Sequence, residues 1–479
     1  MTTERDRYES PLAGRYASKE LLELFSPRRR FQTWRRLWIE LAKAERALGF
    51  AIPESAIAEM EAKKLDINFE IAEAREREVR HDVMAHVYAF GEQCPSAKPY
   101  IHLGATSCYV TDNADIIIMR EALRLIEKRL ASAIDRFAKF AKKEASTPTL
   151  AFTHFQPAQC TTVGKRACLW LQDFVYDFAE VKNLALNLKL LGVKGTTGTQ
   201  ASFLELFDGS HDKVKDLERR VTRALGFDTS VAVSGQTYTR KIDWNIVSAL
   251  VSAAISSSKF ASDLRLLQHR REVEEPFEKQ QIGSSAMAYK RNPMRSERVN
   301  SLARFVISVS DSAAHTAANQ WLERTLDDSA NRRLTLPEAF LATEACLLLV
   351  CDIAGGMVVN HRVVERGVRE ELPFMATENI LMAAVKRGGD RQLLHEQIRI
   401  HSMEAIRRVK EDGAQNDLLD RIAKDPAFEK VASELPSLAN PSAFVGRSVE
   451  QVREFLSEHV EPLLAKNRDL LGGVPRIEI

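Results

Sequence analysis

The stretch QIGSSAMAYKRNPMRSE, residues 281–297, concentrates groups that could do acid–base chemistry on an anion. It carries the hydroxyls of Ser284 and Ser285, the ammonium of Lys290, the amide of Asn292 and the guanidiniums of Arg291 and Arg295, with Arg298 just beyond. Gly283, the paired serines and Pro293 break the helical periodicity on either side, so a loop feeding a helix is expected. The same composition also fits a solvated basic turn.

Other polar clusters lie far from this loop. In THFQPAQ, Thr153 and His154 stand between Pro148 and Pro157, which predicts a connection between helices where an imidazole can face solvent or a ligand. In RHDVMAHV, Arg80, His81 and Asp82 are adjacent. His81 and His86 are five apart and do not share a helix face as the two histidines of HExxH do, so no metal site is expected. GATS, ending in Thr106 and Ser107, offers hydroxyls and amides in a turn, with Thr111 or Asp112 as N-cap of the next helix. GVKGTTGTQ has glycines spaced by three, but without the Lys-Ser/Thr ending or a preceding strand it is no phosphate loop. Arg324, Ser329 and Arg333 set two guanidiniums around a hydroxyl, a pattern that fits a phosphate or carboxylate clamp. Arg15 and Tyr16 fall in an irregular segment expected to be a surface loop.

Long helices must position these groups. Residues 26–50 place Phe31, Trp34, Trp38, Leu41 and Leu48 at spacings of three and four, an amphipathic helix. From about 111 to 146 neither Pro nor Gly interrupts a helical period, a rod of roughly 50 Å at 1.5 Å per residue. Rods of that length need partners, and residues 158–191, 241–272, 293–323 and 334–359 read as further long helices. IVSALVSAAISSS, within the second of these, is apolar or small nearly all round and is expected to be buried on every side. No strand-length alternation competes, so the fold class is all-α around a bundle of long helices. Apolar surface on such rods predicts a homo-oligomer. Three domains are expected: 1–110, 111–359 and 360–479, the last of shorter helices broken near Gly388–Gly389, Pro426, Pro436 and Pro441.

At 479 residues the chain exceeds what one growing core accommodates. Basic and acidic residues nearly balance, 68 against 66, so no global field recruits nucleic acid or an acidic membrane. Six cysteines without CxxC spacing argue for a reducing compartment. The N-terminus has no apolar signal segment, and the most apolar run, 345–359, is cut by Asp352 and two glycines. A cytoplasmic protein without a membrane span is expected.

GSSAMAYKRNPMRSE closely resembles the signature loop of the fumarase/aspartase superfamily, and HLGATS, THFQPAQ and GVKGTTGT agree with its other active-site segments in order. KRNPMRSE, RHDVMAHV and ANPSAFVGRS are similar to the eukaryotic-type adenylosuccinate lyase branch, and the likeness covers essentially the whole chain. Argininosuccinate lyases and fumarases differ after Lys290. A non-catalytic relative is disfavoured by the presence of Ser284, His154 and Lys290 together. The family loop carries Pro where this chain has Ala288, which removes a φ constraint.

The resemblance implies an all-α, three-domain fold, a homotetramer with active sites shared between subunits, and no cofactor or metal. It implies β-elimination of fumarate from adenylosuccinate, giving AMP, and from SAICAR, the succinylated aminoimidazole carboxamide ribotide, giving AICAR. By matching position Ser284 is the base and His154 the acid. Lys290 and Asn292 bind the substrate carboxylate, Lys290 also supporting the serinate, and His81 orients a substrate group. Thr106, Ser107 and Gln236 match positions holding the fumaryl part. Arg15, Tyr16, Arg324, Ser329 and Arg333 match those clamping the phosphate end and ribose. Arg298, Arg80, Asp82 and Thr153 complete the substrate-binding set.

Overall fold

A computed structural model describes residues 6–475 of the chain. The N-terminal part holds α1 (Lys19–Leu24), α2 (Pro27–Ala47), α3 (Glu54–Lys63), α4 (Phe69–Val79) and α5 (Asp82–Gln93). The bundle follows as α6 (Ser107–Lys143), a hairpin of β1 (Pro148–Thr153) and β2 (Gln156–Thr162), then α7 (Val163–Asn187), the short α8 (Ala201–Leu206) and α9 (His211–Ala224), and α10 (Lys241–His269). After β3 (Val273–Glu274) come α11 (Met294–Ala318), α12 (Asp327–Gly356) and β4 (Val358–Val359). The remainder is α13 (His361–Met375), α14 (Thr377–Lys386), α15 (Arg391–Glu411), α16 (Leu418–Lys424), α17 (Leu435–Leu438), α18 (Ser448–Phe455) and α19 (Glu461–Lys466).

α6, α7, α10, α11 and α12 pack side by side as the expected bundle. At 37 residues α6 is about 55 Å long. An aromatic knot lies near its C-terminal end: Phe137 stacks on Phe174 at 5.3 Å and meets Phe260 edge-on at 4.8 Å, while the Trp170 indole donates to Asp263 at 2.7 Å. The helices approach closely where Gly164 starts α7, since a Cβ there would stand 2.4 Å from the Ala141 carbonyl oxygen. One hydrophobic core runs continuously from Leu12 to Met357 and takes in α18 (Val452), Leu456 and Val460, while a second cluster lies between Ala376 and Leu435.

Several expected boundaries shift, each for a local reason. α6 begins at Ser107 with Thr106 as N-cap, so Thr111 and Asp112 lie inside the helix and do not cap it. Residues 158–162 are strand: β1 and β2 pair antiparallel, and Thr162 Oγ1 accepts from Lys165 N at 3.1 Å to open α7 only there. α11 stops at Ala318, while α12 starts at Asp327 and carries Pro337 internally. Arg15 and Tyr16 end a single wide helical turn, Leu12–Tyr16, and not an irregular loop. α10 leaves Ile255 52% exposed in the single chain; the helix buried on every side is α12, from Ala339 to Cys351. α12 is long and apolar enough to cross a membrane, yet 83% of its apolar stretch is buried inside the protein. Five of the six cysteines are buried and Cys168 is half-buried; all are free thiols.

One buried carboxyl stands out on α2. Glu45 is fully buried with no partner for either oxygen, and burial pushes its pKa from 4.5 up to about 9. The unfolded chain ionises this group above about pH 4.5 while the folded chain keeps the proton, so its contribution to stability falls between those two pKa values by about 1.4 kcal/mol per pH unit. Glu45→Gln removes that slope. Thermal melts are expected to show similar Tm values near pH 5 and a variant several degrees more stable near pH 8; equal Tm values at both would refute the assignment.

Candidate active site

A cavity of about 900 Å³ opens where α5, α6 and the start of α12 meet. Arg80, His81, Asp82, Ser107, Gln236, Arg324, Ser329 and Arg333 all line it. Residues far apart in sequence, such as Arg80 and Arg333, are thus brought together by the packing of α6 against α12.

Local structure fixes each group. Arg80 ends α4 in the left-handed region at φ 54°, and this sharp turn makes His81 the N-cap of α5, its Nδ1 accepting from Met84 N at 3.4 Å. Its Nε2 lies 3.3 Å from Ser107 Oγ at the start of α6. His102, also left-handed, accepts the Trp38 indole N–H on Nδ1 at 2.9 Å; burial and the neighbouring His81 push its pKa down to about 4, so it is neutral. Gln236 Oε1 is 3.4 Å from Cys108 Sγ, and its Nε2 donates to the Thr196 carbonyl at 3.0 Å, tying the GVKGTTGT segment to the cavity edge.

Beneath the cavity lies a buried ion network that no local pattern of residues announces. Arg240 donates to Asp112 at 2.9 and 3.2 Å and to Asp328 at 2.6 Å. Arg332 reaches Asp243 at 2.7 Å, Asp115 at 2.9 Å and the Tyr238 hydroxyl at 2.5 Å. Burial alone would lower the pKa of Arg240, but Asp112 and its other acidic neighbours hold it well above the ordinary value. Removing one partner would strand a buried charge, so the network rigidly fixes the first turn of α12. Arg324 leans on the same Asp328 at 3.1 and 3.2 Å, and Arg333 reaches Asp82 at 3.3 Å.

The signature loop has its own scaffold. Asn292 Nδ2 donates to the Gly283 carbonyl at 2.8 Å, drawing the loop ends together, and a Cβ on Gly283 would fall 2.2 Å from the Lys290 carbonyl oxygen. Gly283→Ala is therefore expected to open the loop and lower turnover at least tenfold with the melting profile retained; full turnover would show that the loop tolerates the displacement. Ser284 Oγ accepts from Ala286 N at 3.4 Å and Met287 N at 3.2 Å. Two amides aimed at one hydroxyl oxygen would stabilise its anion. Lys290 is exposed and Arg298 half-buried on α11. Glu275, which the sequence did not mark, caps α11 from outside: it accepts from Arg295 N at 3.1 Å, Ser296 N at 3.0 Å and Ser296 Oγ at 2.9 Å.

His154 lies on the expected connection between two long helices, α6 and α7, but that connection is a β1–β2 hairpin with His154 at its tip, where no strand was expected. With Thr153 paired to Gln156, the two-residue turn is His154–Phe155, both with positive φ, 52° and 56°. Such turns ordinarily use Asn and Gly, so two bulky residues here are held at a conformational cost. The imidazole is exposed, and Thr153 beside it likewise. Neither the hairpin nor Ser284, Lys290, Asn292 and Arg298 lines the cavity of its own chain, nor do Arg15, Tyr16 and Thr106, the last adjacent to Ser107 in sequence. No group of three or more His, Cys, Asp or Glu side chains among the described residues is placed to hold a metal ion.

The model of a lyase family, described as "Lyase", matches residues 32–308, and that of the adenylosuccinate lyase C-terminus matches 373–455. Among solved structures, 3-carboxy-cis,cis-muconate lactonizing enzyme from Pseudomonas putida superposes with a TM-score of 0.82 at 24% identity, covering 95% of this chain and 99% of that one. The fold and the family match define an enzyme of the lyase class, in the fumarase/aspartase superfamily. Adenylosuccinate lyase of Saccharomyces cerevisiae is 53% identical, with 96% of each chain covered, and that of Schistosoma mansoni 47% identical, with 98% of each covered. An archaeal relative, from Pyrococcus abyssi, is 29% identical over 94% of this chain and 98% of its own. The chain belongs to the adenylosuccinate lyase family.

Proposed function

We propose that this enzyme eliminates fumarate from adenylosuccinate, leaving AMP, and from SAICAR, leaving AICAR, as a cytoplasmic homotetramer. The observation that carries this reading is one cavity in which Arg324, Ser329 and Arg333 stand together with His81, Ser107 and Gln236. A succinylated nucleotide is anionic at both ends and needs such groups at each.

In this reading the Ser284 oxyanion, supported by the Ala286 and Met287 amides and by Lys290, removes a proton from the succinyl methylene carbon. Negative charge then grows on the adjacent carboxylate, held by Lys290 and Asn292. The carbon–nitrogen bond breaks, its electron pair passes to nitrogen, and the His154 imidazolium supplies the proton that nitrogen takes up. Thr106, Ser107 and Gln236 hold the fumaryl part, with Thr153 beside the acid. Arg15, Tyr16, Arg324, Ser329 and Arg333 hold phosphate and ribose, and Arg80, His81, Asp82 and Arg298 complete the pocket.

Because Ser284 and His154 do not line the cavity of their own chain, other copies would bring them to it. Large apolar side chains left exposed on the bundle helices, among them Leu169, Tyr176, Leu186, Ile255, Leu266, Phe305 and Ile307, support such association. The reading is tested by following ultraviolet absorbance of the purified protein with adenylosuccinate, SAICAR and argininosuccinate. Turnover of the first two and not the third is expected; turnover of argininosuccinate alone would overturn it.

A further inference from the structure

The Asp82 carboxylate stands between the two ends of the cavity. Its Oδ2 accepts from Arg333 Nη2 at 3.3 Å, the guanidinium assigned above to the phosphate. Its Oδ1 accepts from Val83 N at 2.8 Å and lies 3.8 Å from His81 Nδ1. A ring nitrogen that accepts the Met84 amide carries no proton, so His81 here is the neutral ring with hydrogen on Nε2, facing Ser107 Oγ. Arg333, Asp82, His81 and Ser107 thus stand in a row across the site, broken only between Asp82 Oδ1 and the lone pair of His81 Nδ1, 3.8 Å apart. Side-chain exposures of 55% for Arg333, 31% for Asp82 and 45% for His81 leave each able to reorient without unpacking the core.

We propose that Asp82 is an internal counter-ion which the phosphate of an incoming nucleotide evicts from Arg333, and that the freed carboxylate turns to His81 Nδ1 and draws a proton onto the imidazole beside Ser107. This rests on the cavity being the nucleotide site. A dianionic phosphate can take two hydrogen bonds from a guanidinium, and it outcompetes a single carboxylate contact 3.3 Å long. A carboxylate that has lost its cation favours the charged form of a base within about 4–6 Å, and His81 is that base.

The other charged groups that line the cavity with His81 are Arg80 on its own segment, Glu76 from α4, Arg30 from α2, Asp112 and Asp115 from α6, Arg240 before α10, Arg324 before α12, and Asp328 and Arg332 from α12, with His102 close by on the loop before α6. Together with the positive N-terminus of α5 that His81 caps, Arg80 and Arg333 oppose its protonation while Asp82 stays on Arg333. The proton comes from solvent, and no covalent bond changes. The consequence is a site that senses its ligand's phosphate: a nucleoside without one leaves Asp82 in place and His81 neutral, so the phosphate end sets the charge at the succinyl end.

The test is calorimetric titration of the full-length protein with AMP and with adenosine near pH 8, in buffers of different ionisation enthalpy. AMP is already a dianion there, its second pKa being about 6, so proton uptake reports the protein. Wild type is expected to take up protons with AMP and none with adenosine. Asp82→Asn is expected to bind AMP about fivefold more tightly without uptake, the effect of deleting a competing part-exposed ion pair. Its KM and kcat should fall together, kcat about tenfold, whereas mere structural damage would raise KM. His81→Gln should abolish uptake without tightening AMP. Wild type that binds AMP with no proton uptake, or Asp82→Asn that binds it no more tightly, overturns the relay and leaves the nucleotide site standing; failure to bind AMP at all overturns both.

Discussion

Replacing Ser284 by Ala is expected to lower kcat for adenylosuccinate at least 10²-fold, close to 3 kcal/mol of transition-state stabilisation, with KM little changed and the melting profile intact. The argument rests on two features of the loop. The Ala286 and Met287 amides already point at the Ser284 oxygen, so the cost of orienting donors toward an oxyanion is met before substrate arrives. The loop that carries them is drawn closed by the Asn292 to Gly283 bond and anchored by Glu275 at the start of α11, so the substitution removes one oxygen without releasing the backbone. Ser285, next to it, makes a specific control: Ser285→Ala leaves the amides and the Ser284 hydroxyl in place and is expected to cost much less. Single-turnover mixing with fumarate release followed by ultraviolet absorbance measures both. A Ser284→Ala enzyme that keeps more than about a tenth of wild-type turnover would place the base elsewhere.

What the residues alone disclosed divides along a physical line. α6 was legible because a 37-residue run without Gly or Pro repeats its apolar positions every three or four residues. Its start was misjudged because Thr106, Thr111 and Asp112 are all plausible caps, and only the tertiary partner Arg240, 128 positions away, shows that Asp112 is committed to a buried ion pair. The hairpin bearing His154 was missed because each strand carries a proline, Pro148 and Pro157, and its turn uses His–Phe where Asn–Gly is the usual signal. The clamp of Arg324, Ser329 and Arg333 was visible as a pattern, but its convergence with His81 and Ser107 depends on α12 crossing α6, which no local spacing encodes. The roles of Ser284 and His154 came from likeness to a family. Hydroxyl and imidazole are too common, and here too far apart in sequence, for their types alone to single them out.

Mixing two inactive variants is expected to restore activity. His154→Gln removes the proton donor for the departing nitrogen and should lower turnover at least 10²-fold, as losing a positioned general acid does. The imidazole sits at the tip of a turn strained at two consecutive residues, projecting from the bundle, while Ser284 lies on a separate loop after β3, and neither lines the cavity of its own chain. If one site takes its serine from one copy and its histidine from another, subunit exchange between Ser284→Ala and His154→Gln chains rebuilds sites that have both. Random association of equal amounts gives both intact residues in about a quarter of the sites, so roughly a quarter of wild-type turnover should return once denatured variants are refolded together. Mixing without exchange should return none, and this separates rebuilt sites from contaminating wild type. Exchange demonstrated by mass, with activity still at the level of the separate variants, would mean that both residues of a site belong to one chain. The proposed sharing of sites would then fail, even if each substitution abolishes turnover by itself.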